Sequence, residues 1–379
     1  MPSEYPATAL ELRSTLADDG VVTLAIRSTD VADPGDDQVV VRVEAAPINP
    51  SDLGMMFAGG DPSAGLPAGD GIHDAVAVPV TEAAVAAQRA RLGKPMPVGN
   101  EGGGVVVAAG SSPAAQALLG RTVGFLSGNA YAQYRTLHVS QCLPMADGTD
   151  PADAAAAFVN PLTALGMVET MRSEGHTALV HTVGVSNLGL MLNRICIDDG
   201  VGLVNIVRKP EHVELLGSLG ADHVVDSSAE SFIDDLTDAL RATGATIAFD
   251  AIGGGDLASI LLSRMEKVAG ERAGEFSRYG SDTHKQVYIY GGLDRGPTTL
   301  RRDFGMSWGL GGWLLTPFLI KIGQEAANRL RQRVADEITT TFASTYGTRL
   351  SLVDAVDPGQ VARYARMATG DKALLTPQA

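Results

Sequence analysis

The chain has 379 residues, of which 45% are hydrophobic and 19% charged, so its length and composition suit two globular domains with buried cores. Its formal net charge is −15, and an acidic surface repels phosphates, which argues against nucleic acid as a partner. Its two cysteines, Cys142 and Cys196, are far apart in sequence and match no metal or redox motif, as is typical of reduced thiols in a cytoplasmic protein.

The sequence predicts neither a targeting segment nor a membrane span. Residues 1–11 lack the apolar run of a signal peptide. No stretch reaches the roughly 18 consecutive apolar residues of a membrane helix. The most apolar window, residues 308–322, is short and interrupted by glycine and proline, so we expect a buried or interface segment there. We therefore expect a cytoplasmic protein with no membrane attachment.

Residues 1–150 have the pattern of a β-rich domain. Short runs of β-forming residues alternate with clusters of Gly, Pro, Asp and Ser, which predicts a barrel or sandwich without long helices. A Gly- and Pro-rich excursion at residues 59–97, with a short helix predicted over 81–91, is typical of a lid or a substrate-facing loop. The predicted strands are 20–26, 38–44, 103–108, 122–126 and 130–137.

After residue 151 the pattern changes to strands alternating with helices. Near-continuous apolar strands of this kind indicate a parallel sheet covered by helices on both faces. The predicted strands are 178–183, 202–207, 223–226, 246–250 and 286–290, and the predicted helices are 187–196, 211–219, 229–242 and 256–268. We expect residues 324–379 to rejoin the first domain.

The turn after the first of these strands, residues 183–189, is a candidate phosphate-binding loop. Gly184 can form a tight turn, Gly189 allows the next helix to pack closely, and the N-terminus of that helix offers free N–H groups to a pyrophosphate. Ser186 stands where many such loops have glycine, so the G-x-G-x-x-G pattern is absent. A turn that binds no ligand therefore remains an alternative.

The second strand ends in Arg208 and Lys209 instead of the Asp or Glu that binds the ribose 2′-hydroxyl in NAD sites. Arginine can bind a 2′-phosphate with two hydrogen bonds, and lysine adds a point charge. The pair favours NADPH over NADH, although two solvated surface charges would look the same in sequence.

Two further strands end in residues suited to a ligand site. Ligands of open α/β sheets bind at the carboxyl ends of the strands. Asp250 ends one strand, followed by a glycine run, and Tyr290, Gly291 and Gly292 end the next. Asp250 either contacts the cofactor or caps the loop that follows it.

Taken together, these residues resemble the zinc-free medium-chain dehydrogenase/reductase superfamily, especially quinone oxidoreductases and mitochondrial-type 2-enoyl thioester reductases. The resemblance extends over segments 48–52, 97–102, 160–164, 181–189, 205–208, 219–224, 249–254 and 290–293. It implies an α/β protein with a GroES-like β-rich catalytic domain, residues 1–150 with 324–379. It also implies a doubly wound parallel-sheet Rossmann domain that binds NADPH, residues 151–323.

The resemblance also implies roles for individual residues. Asn49 and Asp52 would line the catalytic cleft, with Asn49 near the nicotinamide. The other implied cofactor contacts are Asn160, Thr163, Gly184, Ser186, Asn187, Leu188, Gly189, Arg208, Lys209, Asp250, Tyr290, Gly291 and Gly292. The implied reaction is hydride transfer from NADPH to a quinone or an α,β-unsaturated carbonyl, in a homodimer.

Zinc is not expected. Zinc-dependent relatives use a Cys near residues 49–52 and a His in a Gly-His-Glu motif, whereas this chain has no Cys there and reads Gly99-Asn100-Glu101. Four clustered Cys for a structural zinc are also missing. Without a Lewis acid, reduction of an activated double bond or a quinone is favoured over alcohol oxidation.

The sequence departs from the resemblance at the proton donor. Enoyl reductases of this type have a Tyr shortly after the segment that matches residues 48–52, and residues 53–60 contain none. His73 is a candidate for proton transfer because its ordinary pKa suits the task, although a loop histidine is often simply exposed.

Two alternatives follow from the missing tyrosine. A 2-enoyl-CoA or acyl-thioester reductase would need a basic entrance, and Arg89, Arg91 and Lys94 either form one or are a solvated helix face. A catalytically silent NADPH-binding sensor would have kept the fold and lost turnover.

Overall fold

A computed structural model describes residues 5–69, 75–274 and 277–379. The chain divides into two compact units, which we call unit 1 (Met1–Val159 with Arg331–Ala379) and unit 2 (Asn160–Leu330). The sequence-based boundaries lie at residues 150 and 323, several residues before those of the two units. In the described residues, no helix combines the length and the apolar character needed to span a membrane.

Unit 1 is β-rich. Its strands form a five-stranded sheet in the order β4-β5-β2-β1-β6 and a larger sheet in the order β10-β8-β7-β3-β20-β19, with β9 paired to β3; β19 (Thr348–Leu350) and β20 (Ala373–Leu375) come from the C-terminal segment. Its strands before residue 150 are β1 (Thr8–Leu16), β2 (Val21–Asp30), β3 (Gln38–Pro47), β4 (Leu66–Ala68), β5 (Ala75–Pro79), β6 (Met96–Pro97), β7 (Glu101–Ala109), β8 (Thr122–Leu126), β9 (Tyr134–His138) and β10 (Cys142–Pro144). The helices of the N-terminal part of unit 1 are α1 (Pro50–Phe57), α2 (Glu82–Ala87), α3 (Pro113–Gln116) and α4 (Pro151–Ala154).

Unit 2 contains a six-stranded sheet in the order β13-β12-β11-β14-β16-β18, in which every pairing is parallel. This is the strand order of a doubly wound dinucleotide-binding fold. The strands of this sheet are β11 (Ala178–Thr182), β12 (Gly202–Val207), β13 (His223–Asp226), β14 (Ile247–Asp250), β16 (Lys285–Ile289) and β18 (Trp308–Gly312). β15 (Gly253–Gly255) and β17 (Asp294–Thr298) form a separate parallel pair. The helices are α5 (Val159–Ser173), α6 (Asn187–Asp198), α7 (Pro210–Ser218), α8 (Phe232–Thr243), α9 (Leu257–Ala273) and α10 (Leu315–Asp336), the last interrupted at Gly323.

The C-terminal segment adds β19 (Thr348–Leu350), α11 (Pro358–Tyr364) and β20 (Ala373–Leu375) to unit 1. β20 pairs antiparallel with the end of β3, where Leu374 lies opposite Pro47. The predicted α/β fold class, with a β-rich domain and a parallel-sheet domain, is confirmed.

Some predicted elements differ from the structure. β1 is missing from the sequence prediction because Glu11 and Arg13 interrupt its apolar residues; Glu11 is nevertheless buried and pairs with Arg135. The strand predicted at 130–137 begins only at Tyr134, because the residues before it bond to other segments: the N–H of Tyr131 donates to Val98 and its carbonyl accepts the N–H of Leu12. The apolar window 308–322 is neither one strand nor one helix: it contains the edge strand β18 and the start of α10.

Candidate cofactor and acceptor sites

The loop between β11 and α6 has the geometry of an anion site within unit 2. Ser186 is the N-cap of α6, and its Oγ accepts the N–H of Gly189 at 3.0 Å. The N–H groups of Val185 and Leu188 donate to no residue in the described part of the chain. Unpaired N–H groups at a helix N-terminus attract a phosphate or another anion.

Glycine is required at position 189. A Cβ there would lie 2.3 Å from the carbonyl oxygen of Gly184, so the loop and the first turn of α6 touch through backbone alone. Val183 has a φ of 64°, which is strained for a β-branched residue and is found mostly where surrounding structure fixes the backbone. The loop is thus held in one shape before any ligand binds.

Arg208 and Lys209 follow β12 at its carboxyl end and are both exposed. Lys209 lies 3.6 Å from the carboxylate of Glu211, whereas Arg208 has no ion-pair partner among the residues described. Arg208 is therefore the cation of this pair whose charge is uncompensated.

Asp250 is buried at the end of β14 and is used by the adjoining loop. Its Oδ1 accepts the hydroxyl of Thr182 at 3.0 Å and the N–H of Ile252 at 2.9 Å, and its Oδ2 accepts the N–H of Gly253 at 3.1 Å. These hydrogen bonds are the ones expected if Asp250 caps the loop that follows β14. The carboxylate fixes the glycine run at the carboxyl end of the sheet.

Tyr290 is hydrogen-bonded to a buried histidine, His181. The Nε2 of His181 lies 2.7 Å from the Tyr290 hydroxyl, and the two rings stack with centroids 5.8 Å apart. Burial lowers the pKa of His181 to about 3, so the ring is neutral. Burial, together with the charge of Asp250, raises the pKa of Tyr290. The Tyr290 hydroxyl is therefore a poor acid, and it is bonded to His181.

The remaining predicted contacts of unit 2 lie on two segments. Asn160 and Thr163 are buried on the first turns of α5. Gly291 lies just after β16 and next to the residue that follows β14: a Cβ on Gly291 would lie 2.6 Å from the carbonyl oxygen of Ala251. A Cβ on Gly292 would meet no atom.

Unit 1 contains a buried polar cluster formed by Asn49, Asp52, Glu101 and Lys372. Asn49 Nδ2 donates to Glu101 Oε1 at 2.9 Å, and the other carboxylate oxygen accepts the N–H groups of Phe158 and Val159. Asn49 is 1% exposed and Glu101 0%. Because Nδ2 is bound to a carboxylate, the amide orientation of Asn49 is fixed and its Oδ1 can act only as an acceptor.

Asp52 joins this cluster to the turn before β7. Its two oxygens accept the N–H groups of Asn49 at 2.8 Å and Asn100 at 2.9 Å. Burial raises the pKa of Asp52 to about 6, while these two hydrogen bonds oppose the shift. Gly99 has a φ of 97° and lies against the ring of Tyr131, so this turn also needs glycine.

Two of the cluster's residues were missed from sequence. Glu101 belongs to the Gly99-Asn100-Glu101 segment, whose sequence differs from a zinc motif at Asn100 and predicts no role for the glutamate. Lys372 lies far along the chain and reaches the cluster because β20 pairs with β3. The Lys372 pKa is lowered by burial and raised by the charges of Glu101 and Asp52.

Other sequence candidates have different surroundings. Asn100 Nδ2 donates to Ser51 Oγ at 3.0 Å, and no group of His, Cys, Asp or Glu suited to a metal occurs among residues 5–69, 75–274 and 277–379. His73 lies outside the described residues. Arg91 donates to the carbonyl of Met55 at 3.0 Å and the hydroxyl of Ser14 at 2.7 Å, so it caps the end of α1 and is not a free basic entrance.

Comparison with known proteins gives relatives of two related kinds. No protein-family model matches the chain. A mitochondrial enoyl-[acyl-carrier-protein] reductase of Caenorhabditis elegans is 30% identical over 210 residues, which are 53% of this chain and 53% of that protein. The chain spans about half the length of the curated relatives it matches.

Structural similarity covers nearly the whole chain. A protein assigned as an NADPH:quinone reductase from Mesorhizobium loti matches with a TM-score of 0.70 at 24% identity, over 98% of this chain and 99% of that one. The complex of ETR1P with NADP and crotonyl-CoA matches with a TM-score of 0.66 at 16% identity, over 97% and 99%. The chain has the fold of these reductases, and the resemblance expected from its sequence is confirmed.

The close contact at Gly189 predicts the effect of a single methyl group. Gly189→Ala should destabilise the protein by about 1–3 kcal/mol, because the added Cβ meets the Gly184 carbonyl and the loop must move. The matched control is Gly217→Ala on α7, where a Cβ meets nothing and alanine is the better helix former. Urea unfolding of both variants tests this; equal stabilities would contradict the loop geometry.

The neutral His181 predicts a pH dependence of stability. Its pKa in the folded chain is about 3, below its ordinary 6.5, so its contribution is complete above pH 6.5 and is lost as the pH falls toward 3. Between pH 7 and pH 4.5, His181→Gln should lose roughly 2–3 kcal/mol less unfolding free energy than the wild type. The control His138→Gln, at an exposed histidine, should follow the wild type. If the unfolding free energies of wild type and His181→Gln changed equally with pH, His181 would not be the neutral buried histidine described here.

Proposed function

We propose that this chain, which has the fold of quinone and enoyl reductases, is an NADPH-dependent oxidoreductase that transfers a hydride to a quinone or an α,β-unsaturated carbonyl without zinc. The observation that supports this most directly is the anion-binding loop 183–189 beside Arg208. Free N–H groups at the start of α6 suit a pyrophosphate, and an uncompensated arginine at the end of β12 suits a 2′-phosphate.

The residues of unit 2 fit such a cofactor in several places. In the proposal, Gly184, Ser186, Asn187, Leu188 and Gly189 surround the pyrophosphate, and Arg208 binds the 2′-phosphate. Lys209, already near Glu211, adds charge at longer range. NADPH, when bound, supplies the hydride.

Other residues of unit 2 set the backbone and the walls of the site. Asp250 orders the loop beyond β14 through Thr182, Ile252 and Gly253, and so acts indirectly. Tyr290, Gly291 and Gly292 face the nicotinamide ribose or ring in this proposal, together with Asn160 and Thr163 of α5. His181 keeps the Tyr290 ring in one orientation.

Unit 1 would bind the acceptor through its buried cluster. The fixed amide of Asn49 presents Oδ1 as a hydrogen-bond acceptor, and Asp52 and Glu101 hold that amide in place. No zinc is invoked, since Asn100 stands where zinc-dependent relatives have histidine and its side chain is bonded to Ser51. The protein's contribution is then to position the acceptor and exclude water.

A second candidate, reduction of a 2-enoyl thioester, is supported by the curated relatives, which are named enoyl-[acyl-carrier-protein] reductases. Against it stands the sequence of α1 and the turn after it, which contains no tyrosine to serve as proton donor. The two candidates share the cofactor and the hydride step and differ in the acceptor.

A homodimer is part of the proposal. β18 is the last strand of the six-stranded sheet, so one of its edges offers unpaired N–H and C=O groups. Met306 and Leu314, on either side of this strand, are exposed. A second copy pairing along β18 would cover both.

Cofactor preference and turnover test the proposal together. NADPH should bind more tightly than NADH by calorimetry, and Arg208→Gln should weaken NADPH roughly 10- to 100-fold while leaving NADH unchanged, because a charged hydrogen bond to the 2′-phosphate is lost. Lys209→Gln is the matched control and should have a smaller effect, since Glu211 already offsets its charge.

Turnover then separates the acceptors. NADPH oxidation should be followed with an ortho-quinone and with a short 2-enoyl-CoA in parallel. Turnover of the quinone alone supports quinone reduction, and turnover of the thioester supports the second candidate. Tight NADPH binding without turnover on either acceptor would favour a silent NADPH-binding sensor. Absence of NADPH binding would contradict the proposal as a whole.

A further inference from the structure

Two buried polar atoms of unit 2, His181 Nδ1 and Asn205 Oδ1, have no hydrogen-bond partner among the described residues. His181 lies on β11 and Asn205 lies opposite it on β12, and both residues are 0% exposed. Opposite residues of paired strands project from the same face of the sheet, and the strands are about 4.8 Å apart. The two atoms therefore belong to neighbouring side chains, and native proteins rarely leave such atoms without a partner.

The orientation of the Asn205 amide is fixed by a chain of hydrogen bonds that ends on a backbone carbonyl. The carbonyl of Leu219 can only accept, and it accepts Asn193 Nδ2 at 3.5 Å. This leaves Asn193 Oδ1 to accept Asn205 Nδ2 at 3.1 Å. Asn205 Oδ1 lies beside Gly184, where a Cβ would be 2.9 Å from it. The free atom of the Asn205 amide is therefore an acceptor.

The His181 ring fixes a second polarity. Burial lowers the pKa of His181 to about 3, so the ring is neutral and has one donor and one acceptor nitrogen. Its Nε2 lies 2.7 Å from the hydroxyl of Tyr290. A phenol hydroxyl is a stronger acid than an imidazole N–H, and an imidazole nitrogen is the stronger base, so the hydroxyl is the better donor. Nδ1 then carries the ring proton, which suits a neighbour that presents an acceptor.

We propose that Asn205 holds His181 in the Nδ1–H tautomer, and that both are positioning residues for Tyr290 in the cofactor site. The inference rests on the proposed function, in which Tyr290 faces the nicotinamide ribose or ring. One buried water molecule joins the two side chains, accepting the Nδ1–H of His181 and donating to Asn205 Oδ1. The Tyr290 proton then points to His181 Nε2, and only the lone pairs of the hydroxyl oxygen remain for the cofactor.

This polarity specifies which kind of group Tyr290 binds. An oxygen whose own proton is committed can only accept, so the matching group of the cofactor is a hydrogen-bond donor. NADPH has two such donors at its nicotinamide end, the carboxamide NH₂ and the hydroxyls of the adjoining ribose. In the opposite tautomer of His181, Nε2–H would donate to Tyr290, and the hydroxyl would offer its proton to the cofactor instead.

The tautomer can be measured without a ligand. In ¹⁵N NMR of the full chain, with His181 assigned through His181→Gln, the directly bonded ring proton should be on Nδ1 and Nε2 should have none. Asn205→Leu should move the proton to Nε2 in a measurable fraction of molecules, because Nδ1–H then faces an apolar side chain. Asn328→Leu, at an exposed asparagine of α10, is the matched control and should leave the tautomer unchanged. A ring proton on Nε2 in the wild type would overturn the proposal.

Cofactor binding separates positioning from a distorted loop. Asn205 also lies against Gly184 of the candidate phosphate-binding loop, so a distorted loop in Asn205→Leu would weaken every ligand that carries the pyrophosphate. The proposal predicts that this variant binds NADPH about 10-fold more weakly by calorimetry, the range for one lost hydrogen bond. Its affinity for 2′-phospho-ADP, which lacks the nicotinamide and its ribose, should not change. In a Tyr290→Phe background, Asn205→Leu should have no further effect on NADPH binding.

A third ligand identifies the donor, since 2′-phospho-ADP-ribose keeps the ribose and lacks the carboxamide. Weaker binding of this ligand to Asn205→Leu would assign the ribose hydroxyl, and unchanged binding would assign the carboxamide. Unchanged NADPH affinity in Asn205→Leu, equal losses for NADPH and 2′-phospho-ADP, or additive losses in the double variant would each overturn the proposal. A wild type that binds NADPH leaves the proposed function intact in all these cases. A wild type that binds no NADPH contradicts that function, whereas the position of the ring proton is measured without cofactor.

Discussion

The hydrogen bond between Asn49 and Glu101 is the constraint on which the candidate acceptor site depends. A buried carboxylate is unfavourable unless its oxygens are satisfied, and Glu101 achieves this by accepting the amide of Asn49 and the N–H groups of Phe158 and Val159. In doing so it fixes which atom of the Asn49 amide is the acceptor. A glutamine at position 101 could keep only part of this arrangement, because its NH₂ group would meet N–H donors.

In unit 2, backbone geometry fixes the candidate cofactor loop, as side-chain hydrogen bonds fix Asn49 in unit 1. The turn after β11 contacts the first turn of α6 through backbone atoms, at Gly184 and Gly189. In the same turn, Val183 has a φ of 64°. Buried side chains then fix these turns by hydrogen bonds: Asp250 accepts N–H groups of the loop after β14, and His181 bonds to the hydroxyl of Tyr290. Both units therefore place on a rigid support a polar group that has no partner among the described residues, N–H groups in unit 2 and Asn49 Oδ1 in unit 1. Such preorganisation lowers the cost of binding and of charge development.

The sequence predicts the parallel sheet well because its strands are buried on both faces, which leaves short apolar runs that differ from their surroundings. β12, which is almost wholly buried, was predicted with its observed ends, Gly202 and Val207. The loop 183–189 was also predicted from sequence. Its backbone passes so close to α6 that Gly189 has no room for a Cβ, and the glycine therefore marks the loop in the sequence. By contrast, β1 contains a buried ion pair, and charged residues in a strand weaken the pattern that sequence analysis relies on.

The acceptor site was less accessible to sequence reasoning for a different reason. Lys372 comes near Glu101 and Asp52 through the pairing of β20 with β3, which no local spacing reveals. Arg91 looked like a surface cation, yet its guanidinium is bonded to Met55 and Ser14. The sequence leaves two roles open for Asp250, and only the fold reveals its hydrogen bonds to Ile252 and Gly253, which are loop-capping contacts. Residues whose role depends on long-range contacts need the fold before they can be assigned.

The central claim, that this chain moves a hydride from NADPH to a carbonyl-activated acceptor, is tested most directly by isotope transfer. The protein would be incubated with NADPH deuterated at C4, with each face labelled in turn, and a conjugated enone or an ortho-quinone, and the products examined by mass spectrometry and NMR. The account predicts that one labelled face yields an enone product with one deuterium on the β-carbon, and that oxidised cofactor forms in equal amount. Products free of deuterium from both labelled cofactors, or no oxidised cofactor at all, would contradict it.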